Sequence, residues 1–197
     1  MKQNLLNKSN KIFLTVNDIA NELSINKKSA KVTANRYTKS GSLIRVKRNL
    51  YITGSRFKEL NESEIFQIAN FIEVPSYISL TTALSYYGIT TQQSQNVIES
   101  VSLKRTKTLT VKNIEFRFFK VKQSLYSGFI RTDNFFIAEP EKALADAVYL
   151  TSIGRYSLDF EAVNFKELKT KQIDAYLKKT NSLTIKFWNK LCKRFKI

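Results

Sequence analysis

Two short amphipathic segments, separated by about three residues, constrain the fold of this chain more than any other sequence feature. In the first segment, Thr15 is a residue type that caps a helix, and Asp18 follows three residues later as in a capping box. The apolar residues recur at the spacing of one helix face: Val16, Ile19, Ala20 and Leu23. This pattern predicts a short helix with a defined start.

The second segment begins at Asn26, which is also a capping residue type, and ends near Ser40. Its core stripe is narrow and consists of Ala30, Ala34 and Tyr37. Two short helices with so short a connection predict a helix-turn-helix. Away from the core stripe, the second helix presents polar side chains that donate hydrogen bonds: Lys27, Lys28, Lys31, Asn35, Arg36 and Lys39.

This outer face of the second helix is the first candidate functional site. Lysines supply point charges to phosphate groups, whereas Asn35 and Arg36 are of the types that make bidentate contacts to adenine and guanine. Such a face fits a DNA major groove. A lysine-rich helix is often only a solvated surface, so both interpretations stay open for the helix taken alone.

A basic hairpin follows directly after the second helix. Residues 43–52 (LIRVKRNLYI) consist of two β-rich runs on either side of a basic turn. In a winged fold, such a turn lies over an adjacent minor groove or backbone, so Arg45, Lys47 and Arg48 are candidate DNA contacts. The alternative is that these charges only protect an edge strand from aggregation, which leaves the basic neighbouring helix unexplained.

The positive charge of the chain is concentrated in the same region. The 197 residues carry a net charge of +17; residues 1–58 hold 13 basic and 2 acidic residues, and residues 59–197 hold 20 and 14. Charge that serves only solubility should be spread evenly. The asymmetry therefore predicts a polyanionic partner, double-stranded DNA, for a first domain at residues 1–60. A second domain is expected at residues 61–197.

The chain has no histidine and one cysteine, Cys192. This composition excludes a disulfide within the chain, a Cys/His zinc site and histidine general-base chemistry. We expect no catalytic residue, no metal and no cofactor. The polar amino terminus through Asn10 and the lack of a long apolar run predict neither a signal peptide nor a membrane span, so the expected location is the cytoplasm.

The second domain has an α+β pattern. Helices are expected over residues 62–71, over 80–87 before Gly88, and after Pro140, with two or three more between 159 and 195. Strands are expected over residues 97–103, 108–111, 114–121, 128–131 and 134–138. The short connections predict a small antiparallel sheet. The expected fold class is thus α+β, with an N-terminal winged helix-turn-helix, a mixed domain with that sheet and a helical C-terminal part.

Three acidic residues near the Pro140 helix raise an enzymatic alternative, a metal-dependent nuclease that uses Glu139, Glu141 and Asp146. Glu139 is explained more simply as the helix cap, and Glu141 as compensation of the helix dipole. We therefore expect a protein that is not an enzyme. A transcription regulator whose second domain senses a small ligand is a further alternative, although no glycine-rich phosphate loop supports it.

The order of these features resembles the AbiEi family, the antitoxins of type IV toxin–antitoxin systems in phage abortive infection. Four segments carry the resemblance: residues 14–19 (LTVNDI), 40–51 (SGSLIRVKRNLY), 77–88 (YISLTTALSYYG) and 137–146 (IAEPEKALAD). Together they span roughly residues 12–155. Arg48 and Asn49 stand where this family has an Arg-Gly turn.

The resemblance implies a bifunctional, autoregulating protein. Its winged domain would bind inverted repeats in its own promoter and repress the operon. Its second domain would counteract a nucleotidyltransferase-type toxin without a stable toxin–antitoxin complex, and the protein itself is expected to be a monomer. No residues for toxin neutralisation follow from the resemblance.

Overall fold

The structure is a computed structural model that describes Leu6 and residues 11–92, 95–132 and 134–197. Its fold is mixed α+β, and the chain divides into two compact units, residues 1–68 and 69–197. The sequence places a boundary near residue 60, whereas the division of the structure falls within a helix that begins at Glu62. Of the polar amino-terminal stretch, residues 1–5 and 7–10 lie outside the described part.

The first unit begins with the two helices that the sequence predicts, α1 (Val16–Glu22) and α2 (Lys27–Lys39). Thr15 and Asp18 form a reciprocal capping box: the Asp18 amide donates to Thr15 Oγ1 at 3.2 Å, and the Thr15 amide donates to Asp18 Oδ2 at 2.8 Å. Asn26 caps α2, because its Oδ1 accepts a hydrogen bond from the Ser29 amide at 2.8 Å. Both expected helix starts are confirmed.

A two-stranded antiparallel hairpin follows, made of β1 (Leu43–Lys47) and β2 (Leu50–Thr53). The hairpin occupies the residues that the sequence predicts, and a register shift lies between Arg45 and Lys47. Leu14 pairs with Tyr51 on the other side of β2 through two backbone hydrogen bonds of 2.8 and 2.9 Å. The connecting helices α3 (Gly54–Lys58) and α4 (Glu62–Ile72) come next.

A small apolar core holds the two helices and the hairpin of the first unit together. Ala30 and Ala34 are fully buried on α2, and because their side chains are small, α1 can pack closely against α2. The remaining members of this core are Leu6, Leu14, Val16, Ile19, Leu23, Leu43 and Tyr51. The burial of this stripe leaves the opposite side of α2 to solvent.

The second unit is built on a sheet with six strands among the described residues, in the spatial order β5-β6-β4-β3-β8-β7. Their bounds are β3 (Ser76–Ile78), β4 (Val97–Ser102), β5 (Lys107–Val111), β6 (Ile114–Lys120), β7 (Phe129–Thr132) and β8 (Phe135–Ala138). The five strands expected from the sequence are present, with ends that shift by a residue or two. The three-residue strand β3 is the one that the sequence analysis missed.

The expectation of an antiparallel sheet in this unit is wrong, because the sheet is mixed. β4 pairs with β6 in parallel, and β3 pairs with β8 in parallel. The chain reverses twice between β4 and β6, with β5 on the outside, so β6 runs in the direction of β4 and inserts beside it. Short connections reveal such reversals, but they do not reveal which strand inserts between which neighbours.

Helices complete the second unit. They are α5 (Leu80–Tyr86), α6 (Pro140–Ser152), α7 (Thr170–Leu177) and α8 (Ser182–Phe195), with short 3-10 turns at Gln123–Leu125, Phe160–Ala162 and Phe165–Glu167. α6 is central, since it packs against α5, α7 and α8, and residues 141–148 are all buried. Pro140 begins α6 as expected. On β6, the alternate residues Ile114, Phe116 and Phe118 are buried in the core.

In the described part of the chain, no helix has the length and apolar character needed to cross a membrane.

Candidate nucleic-acid interface

The outer face of α2 carries the six polar residues that the sequence singles out, and all six are exposed. The pattern follows from helix geometry: the turn of 100° per residue puts Ala30 and Ala34 on the buried side and their neighbours on the solvent side. α2 therefore presents a largely polar face whose lysine, arginine and asparagine side chains donate hydrogen bonds, and no acidic residue occurs in its sequence.

The hairpin presents its basic residues in the same alternating manner. Along β1, Ile44 and Val46 are buried while Arg45 and Lys47 are exposed, as the two-residue period of a strand requires. Arg48 is exposed in the turn that follows. Arg45 and Lys47 are thus directed to solvent by the strand pattern that buries their neighbours, and Arg48 is exposed by its place in the turn.

Four of the nine candidate residues meet around one concave depression of about 440 Å³ in the first unit. Lys27 and Lys31 reach it from α2, and Arg45 and Arg48 reach it from the hairpin. Val16, Asn49 and Tyr51 complete the lining. Two consecutive elements, α2 and the hairpin, therefore contribute cations to the same depression.

Asn49 fixes the hairpin turn relative to α1. Its backbone has φ of 61°, in the left-handed region that Asn tolerates better than most residues with a side chain. Its Oδ1 accepts a hydrogen bond from the Val16 amide at 3.0 Å, which satisfies a donor at the start of α1. Asn49 thereby holds Arg48 at the edge of the depression.

Acidic side chains do not offset this positive charge. Asp18 and Glu22 are the acidic residues of 11–58, and neither lines the depression. Asp18 is engaged elsewhere, because Lys11 Nζ donates to its Oδ1 at 2.6 Å. This hydrogen bond from Lys11, together with that from Thr15, lowers the pKa of Asp18 from 3.8 to about 2. A cleft with charges of one sign concentrates counter-ions of the opposite sign.

The other five candidate residues are exposed but do not line the depression. Lys28, Asn35 and Lys39 lie along the outer face of α2, and Lys47 lies on the hairpin. The Arg36 guanidinium lies 5.5 Å from the centre of the Tyr37 ring, a cation–π contact. Because Arg36 is 100° beyond Asn35 around the helix, it lies away from the row formed by Lys27 and Lys31.

Sequence reasoning missed two contributions to this surface. It assigns Asn49 to the turn but does not anticipate the bond from its side chain to the backbone of α1. It also misses the backbone pairing of Leu14 with Tyr51, since a single bridging residue has no alternating pattern to detect. For the hydrogen bond of Asn49, the available sequence signal is an Asn at the second position of a two-residue turn.

A buried polar cluster lies in the second unit and joins two of the segments that carry the AbiEi resemblance. The Asp146 carboxylate accepts hydrogen bonds from Tyr77 Oη and Ser79 Oγ, both at 2.9 Å, and it pairs with the ammonium group of Lys142. Lys142 and Asp146 are 3% and 2% exposed. Burial and the neighbouring carboxylate raise the pKa of Tyr77 well above its ordinary value. The cluster ties β3 to α6.

The remaining carboxylates considered for a nuclease site also have partners within the chain. The side chain of Glu139 does not cap α6 as expected; its Oε2 accepts a hydrogen bond from Tyr176 Oη at 2.7 Å, because the long Glu side chain reaches past the helix end. Glu141 Oε1 accepts from the Lys169 amide at 3.2 Å. Within the described residues, no three acidic or cysteine side chains are placed to share a metal ion.

Comparison with known proteins gives a similarity of fold. No family model and no curated protein matches the sequence. Among solved structures, the chain is similar to the crystal structure of the RV2827C protein from Mycobacterium tuberculosis, with a TM-score of 0.60 and 9% sequence identity. The similarity covers 98% of this chain and 74% of that one. At this identity it concerns the fold alone.

Proposed function

We propose that the first unit is a winged helix-turn-helix that binds double-stranded DNA. In this proposal α2 enters the major groove, and the β1–β2 hairpin lies over the adjacent backbone or minor groove. The observation that carries it is the depression to which Lys27, Lys31, Arg45 and Arg48 all contribute. A duplex carries phosphates along both edges of its grooves, so a concave surface with cations on two elements matches its charge distribution.

The local topology supports this assignment. A helix, a short connection, a second helix and a hairpin occur in that order, and Leu14 adds a third, one-residue strand beside β2. The paired Leu14 and the hydrogen bond from Val16 to Asn49 attach the hairpin to the start of α1. The hairpin is therefore positioned by these hydrogen bonds, so its cations are pre-organised toward those of α2.

The alternative of a merely solvated basic surface explains less. Solvation favours the exposure of each lysine separately, but it gives no reason for cations from a helix and a hairpin to line one depression without a counter-charge. Self-repulsion of these groups costs stability unless an anion binds there. DNA binding accounts for both the placement and the sign of the charges.

Charge reversal tests the proposal. The expected result for Lys31→Glu/Arg48→Glu is a loss of at least about tenfold in affinity for a random-sequence duplex, measured by fluorescence anisotropy at low salt. The control is Lys186→Glu/Lys190→Glu on α8, which makes the same change in net charge at exposed positions of the other unit. Equal losses in the two variants would show that total charge, rather than this surface, governs binding.

The resemblance to the AbiEi antitoxins extends the proposal to a physiological role. The protein would repress its own operon by binding inverted repeats in the promoter, and its second unit would counteract a nucleotidyltransferase toxin in phage defence. The buried cluster of Tyr77, Ser79, Lys142 and Asp146 joins the two segments of the second unit in which the resemblance is best marked.

The two roles can be separated with one variant. If a nucleotidyltransferase gene lies next to the gene for this chain, the pair can be co-expressed and scored for growth. Lys31→Glu/Arg48→Glu should lose repression of a promoter reporter while it still restores growth, because the altered residues lie in the first unit. Loss of both activities in a folded variant would contradict the assignment of repression to the first unit and of toxin neutralisation to the second.

A further inference from the structure

Val32 is an apolar side chain on the outer face of α2, where polar residues otherwise prevail. It is 68% exposed, the largest exposed fraction among the large apolar side chains at the described surface. A β-branched residue lowers helix propensity, and an exposed aliphatic group gains nothing from packing. Stability of α2 would favour Ala or Lys at this position, so neither the fold nor solubility explains the valine.

The neighbours of Val32 place it within the proposed DNA-binding face. Lys28 lies four residues before it and Asn35 three residues after it, which on a helix places them about 40° and 60° away. Lys39, four residues beyond Asn35, continues the same side. In the described part of the chain, the carboxamide of Asn35 has no hydrogen-bond partner. An apolar group and a free carboxamide are thus adjacent between lysines.

We propose that Val32 and Asn35 read A·T base pairs in the major groove. Val32 contacts the C5-methyl group of a thymine, and the Asn35 carboxamide bonds to N7 and N6 of a neighbouring adenine. This inference rests on the proposed DNA binding and specifies which sequence class the same surface prefers.

The chemistry of the major groove supports both contacts, that of Val32 with thymine and that of Asn35 with adenine. The thymine methyl is the apolar group that the four standard base pairs present in the major groove, and a carboxamide matches the donor and acceptor of adenine. The flanking lysines cannot discriminate between bases, because phosphates are the same along every sequence. On this side of α2, Val32 and Asn35 then read the A·T pairs, while the phosphate-bound lysines supply affinity.

A protein partner is a poorer match for this surface. One valine provides far less apolar area than the few hundred Å² typical of a protein-binding patch. Its close neighbours Lys28 and Lys31 are exposed cations, a residue type depleted in the core of protein interfaces. The same lysines favour a polyanion.

The test uses three alternating polymers: poly(dA-dT), poly(dA-dU) and poly(dG-dC). Uracil differs from thymine only by the missing methyl group. The full chain should bind poly(dA-dU) about fourfold more weakly than poly(dA-dT), the change expected for one methyl group that is no longer buried. It should bind poly(dG-dC) more weakly still, by roughly tenfold relative to poly(dA-dT).

Variants assign the effects to the two side chains. Val32→Ala should abolish the difference between thymine and uracil polymers, whereas Val32→Thr, which keeps a methyl group, should preserve it. Asn35→Ala should reduce the preference for A·T over G·C. Lys31→Ala is the control, because removal of a phosphate-binding cation weakens binding to all three polymers alike.

The outcomes separate this inference from the function on which it rests. If the chain binds duplexes but discriminates equally with valine or alanine at position 32, the base-reading role is refuted and DNA binding stands. If the chain binds none of the polymers at low salt, both are refuted.

Discussion

Asn49 shows how one side chain can set the geometry of a whole surface. Its backbone is left-handed, and its side-chain oxygen accepts a hydrogen bond from the Val16 amide. Asn49 therefore both forms the turn of the hairpin and attaches the hairpin to α1. Glycine, which the AbiEi resemblance leads one to expect here, would allow the turn without the attachment. The position therefore offers a way to separate backbone strain from the hydrogen bond.

Two substitutions make that separation. Asn49→Gly should cost about 1 kcal/mol of unfolding free energy, since it removes the hydrogen bond but keeps an easy left-handed turn. Asn49→Ala should cost about 2 kcal/mol, because alanine also opposes the positive φ. Urea denaturation measures both. A glycine variant less stable than the alanine variant would contradict the assignment.

Asp18 gives a second prediction at this scale. Because the hydrogen bonds from Lys11 and Thr15 lower the pKa of Asp18 to about 2 in the folded chain, its ionised form stabilises the fold at pH values above about 4. That stabilisation is lost as the pH falls from about 4 through 2, where the carboxylate becomes protonated. Asp18→Asn should flatten the decline of Tm over this interval. An unchanged decline would show that the ionised form of Asp18 does not stabilise the fold.

At the scale of single elements, α6 carries the clearest structural prediction. Its Asp146 is the partner of the buried Lys142 and also accepts from Tyr77 and Ser79. Asp146→Ala leaves a buried ammonium without a counter-charge, a change that costs about 3–5 kcal/mol. Chemical denaturation should show that loss.

The control for Asp146 is an exposed ion pair in the same unit. Glu161 pairs with Arg194, and both side chains are more than half exposed. Glu161→Ala should therefore cost less than about 1 kcal/mol. Similar losses in the two variants would mean that Asp146 does not stabilise the fold through its buried ion pair.

The elements also show where sequence reasoning succeeds. Capping residues and apolar spacing are local, so Thr15, Asn26 and the Ala30/Ala34 stripe predicted both helices of the first unit correctly. Strand alternation likewise placed the buried side chains of β6. The strand β3 was missed because three residues, all buried, leave no alternation. The order of strands in the sheet depends on contacts between distant segments, which no local pattern encodes.

In the candidate site, too, local patterns predict one part of the arrangement and contacts between elements determine the rest. The exposure of eight of the nine candidate residues follows from helix and strand periodicity, and that of Arg48 follows from its place in the hairpin turn. The meeting of four of them around one depression depends on the placement of the hairpin, which the Asn49 and Leu14 contacts attach to the start of α1. Neither contact has a sequence signal strong enough to predict that placement.

At the scale of the whole molecule, the charge distribution links fold and function. Residues 1–58 carry a net charge of +11 and residues 59–197 carry +6. Cations of the first unit converge on one depression, whereas those of α8 lie on a helix of the second unit. Binding to DNA should therefore depend on ionic strength chiefly through the first unit.

The salt dependence of duplex binding tests this account most directly. The logarithm of the association constant of the full chain should fall linearly with the logarithm of salt concentration. Lys31→Ala/Arg48→Ala should flatten the slope by about two, one for each phosphate that the variant no longer neutralises, while Lys186→Ala/Lys190→Ala leaves it unchanged. Binding that is independent of salt, or equal slopes for the two double variants, would contradict the claim that α2 and the hairpin together bind DNA.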